Sequence, residues 1–389
     1  MPVPSFCPRL DCRNHSHPGP RWFVRYGFYH CRAHGEVQRY RCRTCGHTVS
    51  DQSESLHYYA KRRVCLKAVW LSLVGGSSLR EIARRYHTSP QVVQNALLRL
   101  GRQAMAAQLR LLQALNAPAQ VVYDGLRSCV SSQDYPCDLT ALVEPEGETI
   151  LAITHAVCRR SGRTTEGQRR RMRRKDRLWC PPEHAMGSAI AMLHRELWAY
   201  LRPTPERPAV IHTDENPLYR ALLCTDAIAC HYRQAGMLEH RRTPATAPRS
   251  CANELFALNY IDRLLRHRLK EHTRESFAIA RQASLQMHRA WIFAVDHNVR
   301  RPYRVKHPEW GLHAEQAAVG RKVLKAVNRE FFSRRLRVCT REVPESITQV
   351  WTARVPTPPL RWRVGQKGSS VRVPAYALRD LWAADQHAS

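Results

Sequence analysis

The sequence predicts an α/β protein in which an α/β core follows two smaller amino-terminal modules. Three observations lead to this prediction. Two cysteine pairs flank an aromatic and basic hairpin pattern near the amino terminus, helical patterns follow, and from about residue 119 strand-like segments alternate with helical ones. At 389 residues the chain is long enough for two or three domains, since domains usually run roughly 100 to 200 residues.

The chain is strongly basic, with 62 Lys and Arg residues against 32 Asp and Glu and a formal net charge of +30. This balance suits a polyanionic partner and favours nucleic acid. Nearly all of the cations are arginine. A GC-rich genome, which can raise the arginine content without any binding surface, is therefore an alternative explanation for the excess of positive charge.

No apolar run is long enough to cross a bilayer, and the start, "MPVPSFCPRL", lacks the apolar centre of a signal peptide. We therefore expect a cytoplasmic protein with no membrane partner. In that reducing compartment the 14 cysteines are expected to be thiols or metal ligands rather than disulfides.

Residues 1–52 are predicted to form a zinc ribbon. Cys7 and Cys12 form a C-x4-C pair, and Cys42 and Cys45 form a C-x2-C pair. Between them, "RWFVRYGFYHCRAHGEVQRYRC" has the pattern of a β-hairpin with a "HG" turn. Four thiolates at the two ends of a hairpin suit tetrahedral Zn2+, and the metal supplies stability that so few apolar residues cannot.

Some alternatives stay open for this module. His15 or His17 could replace Cys12 as a ligand, and the cysteines could instead be scattered free thiols. Cys31 is left out of the ligand set because the pattern places it within a strand. A site with four protein ligands has no open position, so this zinc is expected to be structural.

Residues 53–115 are predicted to hold a helix-turn-helix. Ser78 can cap one helix, and Ser89 followed by Pro90 can begin a second helix that runs to about Gly101. This second helix would be the recognition helix. Three polar side chains on it would face base edges in the major groove: Gln91, Gln94 and Asn95. An ordinary helical hairpin would show the same periodicity.

Residues 119–300 contain the strands. "VVYDGLRSCV" holds Asp124, and "DLTALVEPEGETILAITHAVCRR" predicts two strands around a "PEG" turn. An arginine run near residues 160–178 is expected to be a mobile basic loop. A helix over "PPEHAMGSAIAMLHRELWAYLRP", a strand ending at Asp214, a further strand over "AIACHYRQ" and one long helix over "NELFALNYIDRLLRHRLKEHTRESFAIARQ" complete the series.

This order is that of an RNase H-like fold, in which acids on the first strand, at the end of the fourth strand and on a later helix converge. Asp124 and Asp214 would then share divalent cations, Mg2+ or Mn2+, of the kind that support phosphoryl transfer. Each acid also has a local alternative. Asp124 could cap a turn with Gly125, and Asp214 could end its strand as a turn former.

Several motifs in this order resemble the insertion-sequence DDE transposases of the insertion-sequence-one type. They are the ribbon ending "QRYRCRTCGHTVS", the helix-turn-helix, "YDGLRS", "HTDENPLY" and "RESFAIAR", over roughly residues 5 to 300. The resemblance implies metal-dependent DNA cleavage and strand transfer at the ends of a mobile element. It matches Asp124 and Asp214 to the first two acids of the family.

The third acid departs from the pattern of that family. Asn259 stands where the resemblance leads us to expect Glu, and Asp262 lies one helical turn later on the same face. Asp262 is our choice, with Glu254 and Glu275 as rivals. If none of the three is at the site, the protein would bind DNA without cutting it.

The resemblance also implies double-stranded DNA as partner, both as element ends and as target, a homo-oligomer, and a bacterial, nucleoid-associated location. The alternative is a non-catalytic DNA-binding regulator or an inactivated transposase derivative. An RNA-binding or structural zinc protein fits the helix-turn-helix and the acids less well. Residues 301–389 look like a basic accessory region with a helix near 313–336 and a β-rich end.

Overall fold

The computed structural model describes residues 4–9, 11–273, 278–336, 338 and 343–358. The chain begins with a three-stranded module that contains the expected hairpin and one further strand. Its elements are α1 (Arg13–Ser16), β1 (Phe23–Cys31), β2 (Gly35–Cys42), β3 (Thr48–Ser50) and α2 (Asp51–Glu54). β1 and β2 form the predicted hairpin, and β3 pairs with β2. Trp22, Tyr40 and Val49 are buried with the cysteines in a small core of their own.

Three helices follow, as the helical patterns predict: α3 (Leu66–Val74), α4 (Leu79–Arg85) and α5 (Pro90–Gln113). The side chains of Ser78 and Ser89 accept hydrogen bonds from the backbone N–H groups of Glu81 and Val92, which caps α4 and α5. α5 does not end near Gly101. Its second half is buried, so the helical segment and the α/β core share one hydrophobic cluster.

The core contains a five-stranded mixed sheet. Its strands are β4 (Gln120–Val130), β5 (Ser132–Glu144), β6 (Thr149–Val157), β7 (Ala209–Asp214) and β8 (Leu238–Thr243). The spatial order is β6-β5-β4-β7-β8. β5 and β6 pair antiparallel around the "PEG" turn, as predicted, and β4 pairs antiparallel with β5. β4 with β7 and β7 with β8 pair parallel.

Five helices accompany this sheet: α6 (Glu166–Asp176), α7 (Ala185–Tyr200), α8 (Pro217–Thr225), α9 (Ala227–Gln234) and α10 (Phe256–Arg268). The prediction of a loop near residues 160–178 was wrong, because that segment contains α6. The prediction of a strand over "AIACHYRQ" was also wrong. That segment is α9, which the Asp226 side chain caps by accepting from the N–H groups of Ile228 and Ala229.

The predicted long helix is shorter than expected. α10 ends at Arg268, and a single 3-10 turn follows at Lys270–His272. The chain turns there because Glu271 and His272 pack onto β4, where the Ser128 hydroxyl donates to the Glu271 carbonyl at 2.8 Å. Glu271 also forms a buried ion pair with Arg289 at 2.8 Å. Charge alternation along the sequence gave no sign of these buried contacts.

The remaining described elements are α11 (Ala283–Arg300), β9 (Pro302–Arg304), β10 (His307–Leu312), α12 (His313–Gln316), α13 (Arg321–Phe331) and α14 (Glu345–Trp351). α11 is buried along nearly its whole length against α5 and the sheet. The helix expected near 313–336 is two helices, α12 and α13. The expected β-rich end lies outside the described residues.

Two hydrophobic clusters cover the two faces of the sheet. One lies on the α5, α10 and α11 side and includes Val122 and Leu126. The other lies under α7, α8 and α9 and includes Tyr123 and Ile211. In the described part of the chain no helix combines the length and apolar character needed to cross a bilayer.

Candidate active site and metal centre

The four predicted cysteine ligands form one compact group. The ligand sulfurs of Cys7, Cys12, Cys42 and Cys45 all lie within 4.8 Å of one another. Cys7 Sγ is 3.5 Å from Cys45 Sγ, and Cys12 Sγ is 3.7 Å from Cys42 Sγ. A tetrahedral zinc with Zn–S bonds of about 2.3 Å requires sulfurs roughly 3.8 Å apart. The group can therefore hold a metal ion such as zinc.

Neighbouring groups hold these cysteines in place. Gly46 has a φ of +71°, which lets the chain turn directly after Cys45. The buried Asn14 amide donates to Cys42 Sγ at 3.5 Å and to Thr44 Oγ1 at 2.7 Å. Burial opposes ionisation of Cys42, but backbone N–H groups of Cys45 and Thr44 favour the thiolate, and the pKa of Cys42 falls to about 6. A thiolate is the form that binds metal.

The histidine alternatives are not part of this group. His15 Nδ1 lies 2.8 Å from the backbone carbonyl oxygen of Cys7, and Cys12 takes the fourth position. Cys31 is the last residue of β1 rather than the middle of the strand, and it lies at the hairpin turn. It is still outside the ligand group, as predicted, although for a different reason.

Asp124 and Asp214 lie on neighbouring parallel strands at matching positions. β4 and β7 pair with Val122 opposite His212. Each aspartate is two residues further along its strand, and side chains alternate along a strand with a period of two. The ladder ends at this pair, and Asp124 and Asp214 follow it on the same face of the sheet.

The Asp124 carboxylate is held by two donors. Its Oδ1 accepts from the N–H of Gly125 at 2.6 Å and from the Tyr219 hydroxyl at 3.0 Å. Burial and, after it, the Asp214 carboxylate raise the pKa of Asp124 to about 6, although the two hydrogen bonds oppose the rise. The bond from Gly125 is also what the turn-capping alternative predicts.

Asp214 ends β7, as the sequence predicts. Its Oδ1 accepts from the backbone N–H of Asn216 at 2.8 Å, and the Asn216 side chain in turn caps α8 by accepting from the N–H of Leu218. These bonds fit the alternative in which Asp214 is a turn former. The bond from Asn216 occupies one carboxylate oxygen of Asp214 and orients its side chain at the strand end.

Asp262 faces Asp124 from α10. Asn259, Asp262, Arg263 and Arg266 are spaced along one face of that helix and line a cleft of about 540 Å³ together with Asp124. Burial raises the pKa of Asp262 to about 7, and repulsion from Asp124 contributes, whereas Arg266 and Arg249 lower it. The Asp124 carboxylate is therefore close enough to disfavour ionisation of Asp262.

Asp138 is an acid near the site that the sequence analysis missed. It lies on β5, is almost fully buried, and pairs with Arg127 of β4 at 3.2 Å. Its carboxylate occupies the space over Gly125, where an added Cβ would lie 2.3 Å from Asp138 Oδ1. Burial raises the pKa of Asp138, and Asp214 adds to the rise. Asp138 begins the apolar run "DLTALVE", but its contacts with Gly125 and Arg127 lie on another strand, so no local pattern in the sequence indicates them.

Arginines line the same cleft. Arg127, Arg249, Arg263 and Arg266 surround the opening above Asp124 and Asp262. Arg127, Arg249 and Arg263 are exposed, and Arg266 is partly buried. The cleft is therefore lined by both carboxylates and guanidinium groups, a combination suited to a divalent cation and a phosphate chain together.

The two other candidates for the third acid are Glu254 and Glu275. Glu254 lies two residues before α10 rather than in its first turn, and its Oε2 is 3.2 Å from Nδ1 of His212. Glu254 therefore lies next to β7, the strand that carries Asp214. Glu275 is outside the described residues.

The three polar residues predicted to contact bases lie at the start of α5. Gln91 and Asn95 are exposed, Gln94 is partly exposed, and the Gln91 amide donates to Asn95 Oδ1 at 3.2 Å. Asn95 also lines a basic pocket with Lys61, Arg62 and Arg99. This surface is open to a large partner.

The sequence matches no protein-family model, and a search of curated proteins gives no match. Among the described residues, the four cysteines are also the one group of three or more Cys, His, Asp or Glu side chains that is compact enough to hold a metal ion as it stands. The acids of the cleft are neighbours without forming such a group.

Proposed function

We propose that this protein is a DDE/DDD-type DNA transposase with an RNase H-like core. The order of the five-stranded sheet, with a three-strand antiparallel unit followed by two parallel strands, supports the RNase H-like part of the proposal. The observation that carries the function is the matched position of Asp124 and Asp214 on neighbouring strands, with Asp262 facing Asp124 across the cleft.

The donor set fits Mg2+ or Mn2+, because carboxylate oxygens are the ligands that these cations prefer. Asp124, Asp214 and Asp262 would hold the cations. Burial is the main cause of the raised pKa values of Asp124 and Asp262, and the neighbouring carboxylates Asp214 and Asp124, respectively, add to the rise. When bound, divalent cations activate a water molecule or a 3'-hydroxyl and stabilise the leaving oxygen in phosphoryl transfer.

The chain's own groups would bind and orient the DNA. Arg127, Arg249 and Arg263 are exposed at the cleft and can donate to phosphate oxygens. Tyr219 fixes one oxygen of Asp124 and favours its ionised form. The remaining Asp124 oxygen is free of these two bonds and can serve as a ligand.

The amino-terminal modules would recognise the element ends. Gln91, Gln94 and Asn95 are positioned at the start of a capped helix, where a recognition helix contacts base edges. The cysteine module would keep its hairpin folded with Zn2+. Because two ends must be joined, the protein would act as a homo-oligomer on double-stranded DNA, in the cytoplasm and near the nucleoid.

A non-catalytic DNA-binding regulator, or an inactivated transposase derivative, is the alternative. Asn259 in place of an expected Glu favours it, as does the absence of a compact acid group among the described residues. Both functions would use the same amino-terminal modules for DNA binding. They differ only in whether the acids of the cleft support DNA cleavage. Inverted repeats flanking the gene would favour an active element.

The deciding experiment compares Asp214→Ala with Glu215→Ala on DNA that carries the element's ends. Glu215 is the exposed neighbour of Asp214, so it is a matched control for loss of a carboxylate. With Mg2+ or Mn2+ the wild type and Glu215→Ala should nick and join this DNA, and Asp214→Ala should bind it without cutting. Equal activity in the two variants contradicts the catalytic assignment, and binding without cleavage by the wild type supports the regulator.

A further inference from the structure

α6 carries a dense set of exposed positive charges. Six arginines between residues 169 and 177 all have exposed side chains: Arg169, Arg170, Arg171, Arg173, Arg174 and Arg177. Several are four residues apart, such as Arg169 with Arg173, and like charges at this spacing destabilise a helix. α6 therefore needs support from outside its own sequence.

Part of that support is a buried anchor. The Lys175 side chain is 10% exposed and its ammonium group binds Asp134, which is 8% exposed, and the hydroxyl of Ser132. Lys175 Nζ also lies 5.2 Å from the centroid of the Tyr135 ring, and the Tyr135 hydroxyl donates to the Trp179 carbonyl at 3.3 Å. A capping box at Thr165 and Gln168 fixes the other end of α6.

Few acids neutralise the exposed face of this helix. Glu166 pairs with Arg170, and Asp176 pairs with Arg159 outside the helix. Arg171 is 4.0 Å from Asp134, which already binds Lys175. The anchored helix thus presents a fixed row of cations, and arginine suits phosphate through its forked donors.

The anchor connects α6 to the cleft along β5. Asp134 holds Lys175, and Asp138, four residues further on the same strand, holds Arg127 at the cleft. Four residues of strand span about 13 Å. Arg160, 3.8 Å from Asp134, adds a further cation beside the anchor. Positive charge therefore extends from α6 to the cleft.

We propose that α6 is a docking surface for the phosphate backbone of double-stranded DNA, next to the cleft that holds the acids. The choice of DNA rests on the proposed function, whereas the surface itself is defined by α6 and its anchor. Arg169, Arg173 and Arg177 lie along one face at intervals of about 6 Å. This row binds phosphates without reading sequence.

The test is the salt dependence of binding to a short mixed-sequence DNA duplex without divalent cations. The double variant R169Q/R173Q removes two exposed cations. The matched control is K325Q/R329Q, which removes two exposed cations at the same spacing on α13, a helix packed on α5 and α11. If both arginines contact phosphates, the slope of log K against log salt should become shallower by about 1.8 in R169Q/R173Q, and it should stay unchanged in the control.

The outcomes separate this inference from the proposed function. A steep slope in the wild type that R169Q/R173Q leaves unchanged overturns the role of α6 while DNA binding stands. An equal loss in K325Q/R329Q also overturns it, because the effect would then be one of net charge. Failure of the wild type to bind DNA would contradict the proposed function and with it this surface.

Discussion

Tyr219 on α8 donates a hydrogen bond of 3.0 Å to Oδ1 of Asp124 on β4. The bond joins the helix that follows Asp214 to the strand that carries Asp124. It therefore links the two acids whose matched positions carry the proposed function. It also favours the ionised form of Asp124, because a donor to a carboxylate stabilises its negative charge.

Tyr219→Phe should raise the pKa of Asp124 above its value of about 6, since the variant loses one of the two donors that oppose the effect of burial. A carboxyl NMR titration of Asp124 measures this directly, and the acidic limb of a pH–activity profile should move to higher pH with it.

Tyr123→Phe is the matched control for this prediction. Tyr123 packs against Tyr219 with ring centroids 5.1 Å apart, but its hydroxyl bonds to His194 Nε2 at 2.8 Å instead of to Asp124. Tyr123→Phe should leave the pKa of Asp124 unchanged. A shift of the same size in both variants would show that packing, rather than the hydrogen bond, sets the pKa.

Asp262→Asn should stabilise the protein at alkaline pH. Burial, followed by repulsion from Asp124, raises the pKa of Asp262 from 3.8 to about 7. The folded state therefore binds more protons than the unfolded state in that window, and the free energy of unfolding falls as pH rises from about 4 to about 7. The variant avoids this loss, so it should be more stable by up to about 4 kcal/mol at pH 8 and gain nothing at pH 4.

Urea unfolding at both pH values measures this difference. Glu215→Gln, an exposed acid beside Asp214, is the control and should change stability little at either pH. A gain for Asp262→Asn that is the same at pH 4 and pH 8 would mean that charge is not its cause.

Gly125→Ala should destabilise the fold by about 2 to 3 kcal/mol. An added Cβ at Gly125 would lie 2.3 to 2.6 Å from three carboxyl atoms of the buried Asp138, which Arg127 and Thr140 hold in place. Urea unfolding of the variant measures the loss. Adding Asp138→Ala should recover part of it, because the clashing group is then gone.

Gly167→Ala is the control for the substitution itself. Its nearest neighbour is a flexible arginine atom at 4.0 Å, and it lies in a helix, where alanine is favoured over glycine. It should be neutral or slightly stabilising. If Asp138→Ala fails to recover any stability, the clash is not the source of the loss.

Local sequence pattern was enough to predict the position of Asp214 in its strand. A strand followed by Asp-x-x-Pro placed Asp214 at a strand end, and the "PEG" turn fixed the neighbouring hairpin. Asp138 was missed because its burial depends on Gly125 of another strand and on Arg127, which no local pattern reveals.

Two elements were mispredicted for physical reasons that can be named. α6 has no apolar face and is held largely by one buried lysine, so its charge pattern resembled a solvated loop. α9 has a short apolar stretch typical of a strand, but Asp226 before it is a helix cap that the sequence does contain. α6 therefore depends on tertiary contacts that the local sequence does not show, whereas the local sequence of α9 does contain its helix cap.

Cys42→Ser should abolish stable zinc binding and loosen residues 1–52. Cys42 supplies one of four converging sulfurs, receives support from Asn14, and ends the strand that pairs with both neighbours in the module. Metal binding contributes directly to the folding free energy of such a small core. Wild-type protein should retain one zinc per chain after dialysis. The variant, like the wild type treated with a chelator, should lose it and be cleaved faster by trypsin in this module.

Cys31→Ser, at the hairpin turn and outside the ligand group, is the control and should keep its zinc. Equal zinc contents in the two variants would show that these four sulfurs are not the site.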